Sequence, residues 1–151
     1  MPVRAPLRLS NDGYTPEKFQ AGDTLPWASA PALSGCLVSK STDQSIPTGA
    51  TFTILTFDTE SYDTDAFHAP VTNNSRLTIP TTGFYILTGQ ITWATNTAGY
   101  RTLRLYKNGT AAGIGGFSVE TVPKGTGDQN GVSAVLSCTA GDYFEIGCRR
   151  S

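Results

Sequence analysis

From residue 35 to residue 151, apolar side chains recur at every second position in short runs, and the runs are broken by turn residues. A period of two marks half-buried strands, and close turn signals mark antiparallel connections. The pattern predicts strands over Cys36–Lys40, Thr51–Phe57, Arg76–Ile79, Gly83–Thr95, Tyr100–Lys107, Gly113–Val119, Gly131–Thr139 and Asp142–Arg149. Turn chemistry separates them at Pro47-Thr-Gly49, Thr82-Gly83, Asn108-Gly109, Pro123-Lys-Gly-Thr-Gly127 and Ala140-Gly-Asp142. Asn108-Gly109 is the strongest hairpin signal, because a type I′ turn needs positive φ at both central residues. No apolar stripe of helical period stands out. The fold class expected is all-β: an antiparallel sandwich or jelly roll.

Alternation also assigns faces. In Gly83–Thr95 the core face is Tyr85, Leu87, Gly89, Ile91 and Trp93, and the opposite face is Phe84, Ile86, Thr88, Gln90 and Thr92. In Tyr100–Lys107 the core face is Leu103 and Leu105, which turns Tyr100, Thr102, Arg104 and Tyr106 outward. In the last strand Phe144, Ile146 and Cys148 point inward, with Tyr143, Glu145 and Arg149 outward. Tyrosine and arginine are enriched in protein interfaces. Tyr100, Arg104, Tyr106, Tyr143 and Glu145 are therefore expected to form a subunit interface.

Residues 1–34 follow a different rule. Pro2, Pro6, Pro16, Pro26 and Pro31 exclude a long helix, and apolar residues occur singly. The segment reads as an extended arm whose anchors are Leu7, Leu9, Phe19, Leu25 and Trp27, and residues 35–151 read as the globular domain. The start of the chain lacks the apolar core of a signal peptide, and no apolar run is long enough to span a membrane.

Composition narrows the function. Charged residues are 15% and the net charge is −1, so no field steers the protein to nucleic acid or anionic lipid. The three cysteines, Cys36, Cys138 and Cys148, make no paired framework. They fit buried reduced thiols, although Cys138 and Cys148 are also spaced to face each other across a hairpin. His68 is the single histidine and is expected on the surface of a polar loop, so a Ser–His–Asp triad or a His-rich metal site has almost nothing to draw on. Asp58, Glu60, Asp63 and Asp65 are oxygen donors of the kind that hold calcium, but the EF-hand spacing is absent and such residues commonly cap their own turns. The same carboxylates have no spacing that marks a glycosidase. Gly113-Ile-Gly-Gly116 lacks the lysine and helix of a phosphate loop. No catalytic residue, metal site or cofactor is expected.

Several segments together resemble C1q/TNF-like domains of phage and bacterial proteins. They are Phe52-Thr-Ile-Leu-Thr-Phe57-Asp58, Tyr62-Asp-Thr-Asp-Ala-Phe67-His68, Ser75-Arg-Leu-Thr-Ile-Pro80-Thr-Thr-Gly83-Phe-Tyr85-Ile-Leu87, Tyr100-Arg-Thr-Leu-Arg104-Leu, Lys107-Asn-Gly109 and Ala140-Gly-Asp142-Tyr-Phe-Glu-Ile146. Leu87 stands where the animal members usually carry an aromatic, and no collagen-like Gly-X-Y stalk is present. The resemblance implies a jelly roll, a homotrimer, and a binding or structural role. The arm is similar to segments that precede displayed domains in phage structural proteins.

These readings lead to one expectation. The chain is a bacteriophage virion protein, made in the host cytoplasm and carried on the virion surface. It is a homotrimer that decorates or cements the capsid or forms a head fibre, held to the major capsid or tail proteins through its arm. The alternative is a tail or tail-fibre adhesion protein that binds a host surface receptor through the loops Asp58–Val71 and Thr121–Asn130. Neither nucleic acid nor membrane insertion is expected.

Overall fold

A computed structural model describes residues 33–110, 118–125 and 127–151, together with the strands Leu7–Leu9 and Pro16–Lys18. The described residues contain strands and no helix. The chain divides between Leu33 and Ser34 into two units.

In the first unit, β1 (Leu7–Leu9) and β2 (Pro16–Lys18) form a two-stranded antiparallel ribbon, with Leu7 opposite Lys18 and Leu9 opposite Pro16. Proline lacks an N–H and sits naturally at the start of such a strand. Phe19, Leu25 and Trp27 lie outside the described residues, as do the side chains of Leu7 and Leu9.

The described residues of the second unit hold nine strands: β3 (Cys36–Ser39), β4 (Thr53–Ile54), β5 (Thr59–Asp63), β6 (Leu77–Thr78), β7 (Gly83–Thr92), β8 (Arg101–Lys107), β9 (Ser118–Thr121), β10 (Gln129–Cys138) and β11 (Tyr143–Arg150). Every strand pair is antiparallel. The largest sheet runs β4-β11-β8-β9, with β6 also pairing with β11. β7 and β10 form a separate ribbon paired over its whole length, from Gly83 opposite Cys138 to Thr92 opposite Gln129. β3 and β5 form a third ribbon, with a register shift at Leu37/Val38.

The core forms where the inner faces of the large sheet and the β7–β10 ribbon meet. Leu103, Leu105, Phe144 and Cys148 from one side join Trp93, Val132 and Ala134 from the other, with Ile79, Phe67 and Leu55 closing the ends. Gly89 lets the layers approach closely: a Cβ there would stand 2.0 Å from Ile146 Cδ1. Within the core, the Trp93 indole N–H donates to Asn130 Oδ1 at 2.7 Å, and Asn130 Nδ2 donates to Thr121 Oγ1. The core faces of β7, β8 and β11 are those the alternation predicts.

The Asn108-Gly109 turn forms as its chemistry requires. Both residues have positive φ, 52° and 74°. Lys107 and Thr110 exchange backbone hydrogen bonds of 3.2 and 2.9 Å. Cys36, Cys138 and Cys148 are free thiols, the last two buried. Burial pushes the Cys148 thiol up to about 11, so it behaves as a small apolar side chain.

Three elements differ from expectation. The strand expected over Thr51–Phe57 shrinks to Thr53–Ile54. There the Gln44 side chain replaces a neighbouring strand, donating to the Ile54 carbonyl and accepting from the Thr56 N–H. The stretch Asp58–Val71, expected as a loop, contains β5. Its first four residues are solvent-exposed, so backbone pairing to β3 makes a strand that leaves no alternation in the sequence. Gly83–Thr95 ends early, at Thr92, and of Gly113–Val119 the residues up to 117 lie outside those described.

Candidate functional site: two sheet faces

The expected interface residues come together on the outer face of β8 and β11, with Tyr106 opposite Glu145. Their own chain covers much of that face. Phe52 meets the Tyr106 ring edge to face, with centroids 6.1 Å apart. The Arg104 guanidinium lies 4.4 Å and that of Arg149 5.0 Å from the Phe52 centroid, so the ring is shared by two cations. Arg76 stacks at 4.0 Å on the Tyr143 ring and donates to Glu145 through Nε at 3.1 Å. Ser75 Oγ also donates to Glu145, at 2.8 Å. Gly147 makes room for Tyr106: a Cβ there would approach Tyr106 Cε2 to 2.6 Å. Burial pushes the Tyr106 phenol up, against the opposing pull of Arg104 and Arg149.

Thr102, expected outward with these residues, is instead buried, its hydroxyl donating to Glu120 at 2.9 Å. Glu145 is buried too. Of the five expected interface residues, Tyr100 alone keeps more than half its surface in solvent, at 53%. The signal missed in the sequence is that Phe52 and Ser75-Arg76 return across the chain to cap this face.

The β7–β10 ribbon presents the opposite case. Its outer face carries Phe84, Ile86, Thr88, Gln90 and Thr92 from β7 and Ser137, Val135, Ser133, Gly131 and Gln129 from β10, in register. Phe84 is 81% exposed, Ile86 75% and Val135 67%. Val135 stands directly opposite Ile86, beside Phe84 two positions along the strand. No position of this face is charged. Large apolar side chains grouped in the open, among small hydroxyl and amide groups, are the composition that interaction surfaces commonly show. The sequence showed the signal, a phenylalanine and an isoleucine at outward positions of an alternating strand.

The acidic stretch is organised internally. Asp58 accepts from the Ser41 N–H at 2.8 Å, with Lys40 Nζ at 3.5 Å, and these contacts hold its carboxyl below the usual range. Asp63 feels some burial, which raises it. The N–H groups of His68 (2.8 Å) and Phe67 (3.0 Å) outweigh that and lower it. His68, expected on the surface, is buried: its Nδ1 meets Glu60 Oε1 at 2.7 Å and its Nε2 the Asn74 carbonyl at 3.2 Å. The tight turn at Ala66 (φ 59°), closed by Asp63, folds the ring inward against Phe57. Among the described residues no three His, Cys, Asp or Glu side chains gather as a metal site. No described helix is long and apolar enough to cross a membrane.

No protein-family model matches the chain, and no curated protein sequence matches it either.

Proposed function

We propose that this protein is a self-associating structural protein of a virion surface. In this reading it is a homotrimer of C1q/TNF-like jelly rolls, held to its particle by the arm of residues 1–34, and it decorates or cements the capsid or forms a short head fibre. The observation that carries self-association is the uncharged face of β7–β10, with Phe84, Ile86 and Val135 in solvent. A face without charge meets its own copy with no like-charge repulsion and no ion to desolvate. The subunit contact therefore belongs to this face rather than to the capped outer face of β8–β11. Trimer symmetry and the virion setting rest on the family resemblance and on the single apolar anchors of the arm. Three arms on one trimer would act multivalently, so weak individual contacts sum to firm attachment.

Light scattering on the purified full chain tests the first part. A mass of about 48 kDa, three times the 16.0 kDa of one chain, is expected. A monomer at all concentrations overturns it. Antibody labelling of purified particles under the electron microscope tests the second. Label over the head is expected, label confined to the tail turns the reading to host adhesion, and unlabelled particles remove the virion assignment.

A further inference from the structure

At the end of the core, β8 and β11 place Arg101 directly opposite Arg150. Like charges at such a position repel, and Arg101 is only 2% exposed. Arg101 Nη1 donates to the carbonyls of Ala98 and Tyr100, and its guanidinium lies 5.5 Å from the Trp93 ring. The Arg150 Nε is buried with no hydrogen-bond partner. Among the described residues, neither guanidinium has a carboxylate within 4.0 Å. A buried cation beside a half-buried one, with an unspent donor, is electrostatically incomplete.

Both arginines line a groove of about 880 Å³. Its apolar lining includes Ile46, Leu55, Phe57, Ile91 and Trp93. Consecutive residues of β3 (Val38, Ser39) and of β7 and its continuation (Gln90 to Ala94) line it, so strand edges rather than sheet faces border it. Among the described residues β7 pairs with β10 alone, and β3 with β5 alone. The Trp93 N–H bonds to the Asp128 carbonyl, which sets the alternation along β7: odd residues bond toward β10. The N–H and C=O groups of Gln90 and Thr92 therefore point away from the ladder, along the groove side. The polar side chains at its rim, Lys40 and Gln44, are engaged with Asp58 and with Ile54 and Thr56. Asp43 at the rim is exposed.

We infer that this groove receives an extended acidic segment of another protein, which adds as a strand to the edge of β7 left unpaired among the described residues and sets a carboxylate between Arg101 and Arg150. An unpaired strand edge supplies main-chain hydrogen bonds, and apolar side chains beneath it accept alternate residues of the incoming strand. The arginine pair selects charge, because a carboxylate bridging two guanidiniums removes their repulsion. This site meets the outer face of β7–β10 at Gln90 and Thr92, whose backbone edge it uses rather than their side chains, and it does not depend on self-association.

The test uses the full chain at one protein concentration and two short peptides, Thr-Val-Glu-Val-Thr-Val and its Glu→Gln form. Amide exchange is followed by NMR. At ten times its dissociation constant the acidic peptide should slow exchange at Gln90 and Thr92 about tenfold. The neutral peptide should bind about tenfold more weakly, having lost a charge-assisted contact. Arg150→Gln should shrink the difference between the two peptides while leaving the protein folded. Equal binding of the two peptides to the native protein overturns the inference. So does acidic peptide that leaves both amides unchanged. Inorganic phosphate that reproduces the exchange pattern would make this a bare-anion site and overturn the strand.

Discussion

Phe84→Thr isolates the proposed subunit contact. Threonine keeps the strand preference of the position, and its hydroxyl is at ease in water. Phe84 is 81% exposed in the isolated chain. Full burial of a phenylalanine is worth about 1.5–3 kcal/mol, so burying this exposed part contributes about 1.2–2.4 kcal/mol per copy. Three copies lose about 4–7 kcal/mol together. The dilution midpoint of a trimer varies as the square root of its dissociation constant, so it should rise about 30- to 400-fold. Sedimentation across a dilution series reads this directly. The folded monomer should lose nothing comparable, because Phe84 makes no core contact and surface changes usually stay within about 0.5 kcal/mol. Two controls sharpen the result. Val71→Thr removes an even more exposed apolar group (91%) outside the face, and Tyr100→Ser removes the exposed residue of the β8–β11 edge. Both should leave the midpoint in place. If Phe84→Thr dissociates at the native midpoint, or if Tyr100→Ser moves it and Phe84→Thr does not, the assignment to β7–β10 is refuted.

Three further outcomes test the architecture. Gly147→Ala should destabilise the fold by about 1–3 kcal/mol by displacing Tyr106 from β11, and most of that cost should vanish in a Tyr106→Ala background, as a double-mutant cycle in denaturant will read. Asn130→Ala should cost about 1–3 kcal/mol, because the buried Trp93 indole N–H loses its acceptor, with a blue-to-red change in tryptophan emission if water enters. The carboxyl of Asp142 is held down to about 2 by Lys107 (2.7 Å), Asn108 and the Thr139 N–H. A depressed carboxylate adds stability that is complete above its unfolded pKa near 3.9 and is lost as pH falls toward 2. Thermal melts of Asp142→Asn should therefore lie below the native protein at pH 6 and converge with it near pH 2.

What the sequence made legible follows from periodicity. Strands with one buried face, such as Gly83–Thr92 and Tyr143–Arg150, declare themselves and their inward residues, and Asn108-Gly109 declares its turn. β5 stayed hidden because its first four residues are solvated and backbone pairing alone makes it a strand. His68 was misplaced because its burial depends on the turn that Asp63 closes and on Glu60 eight positions back. The outward side of β8 was legible as a set of residues but not as a capped one, since Phe52 and Ser75 reach it only through tertiary folding. The groove was wholly illegible. Arg101 and Arg150 look like ordinary strand-end cations until the register sets them face to face.

The cap on β8–β11 also bears on the order in which this protein folds. Its closures join distant parts of the chain: Ser75 to Glu145 across 70 positions, and Arg149 to the Ala50 carbonyl across 99. Such loops lose much chain entropy before any contact repays it, which places antiparallel folds of this kind in the millisecond-to-second range. The Asn108-Gly109 hairpin turn is local and can form early, but Phe52 has no ring or guanidinium to meet until β8 and β11 lie side by side. The arginine–aromatic layer is thus a late event. Substitutions at Phe52 should speed unfolding while leaving the refolding rate nearly unchanged.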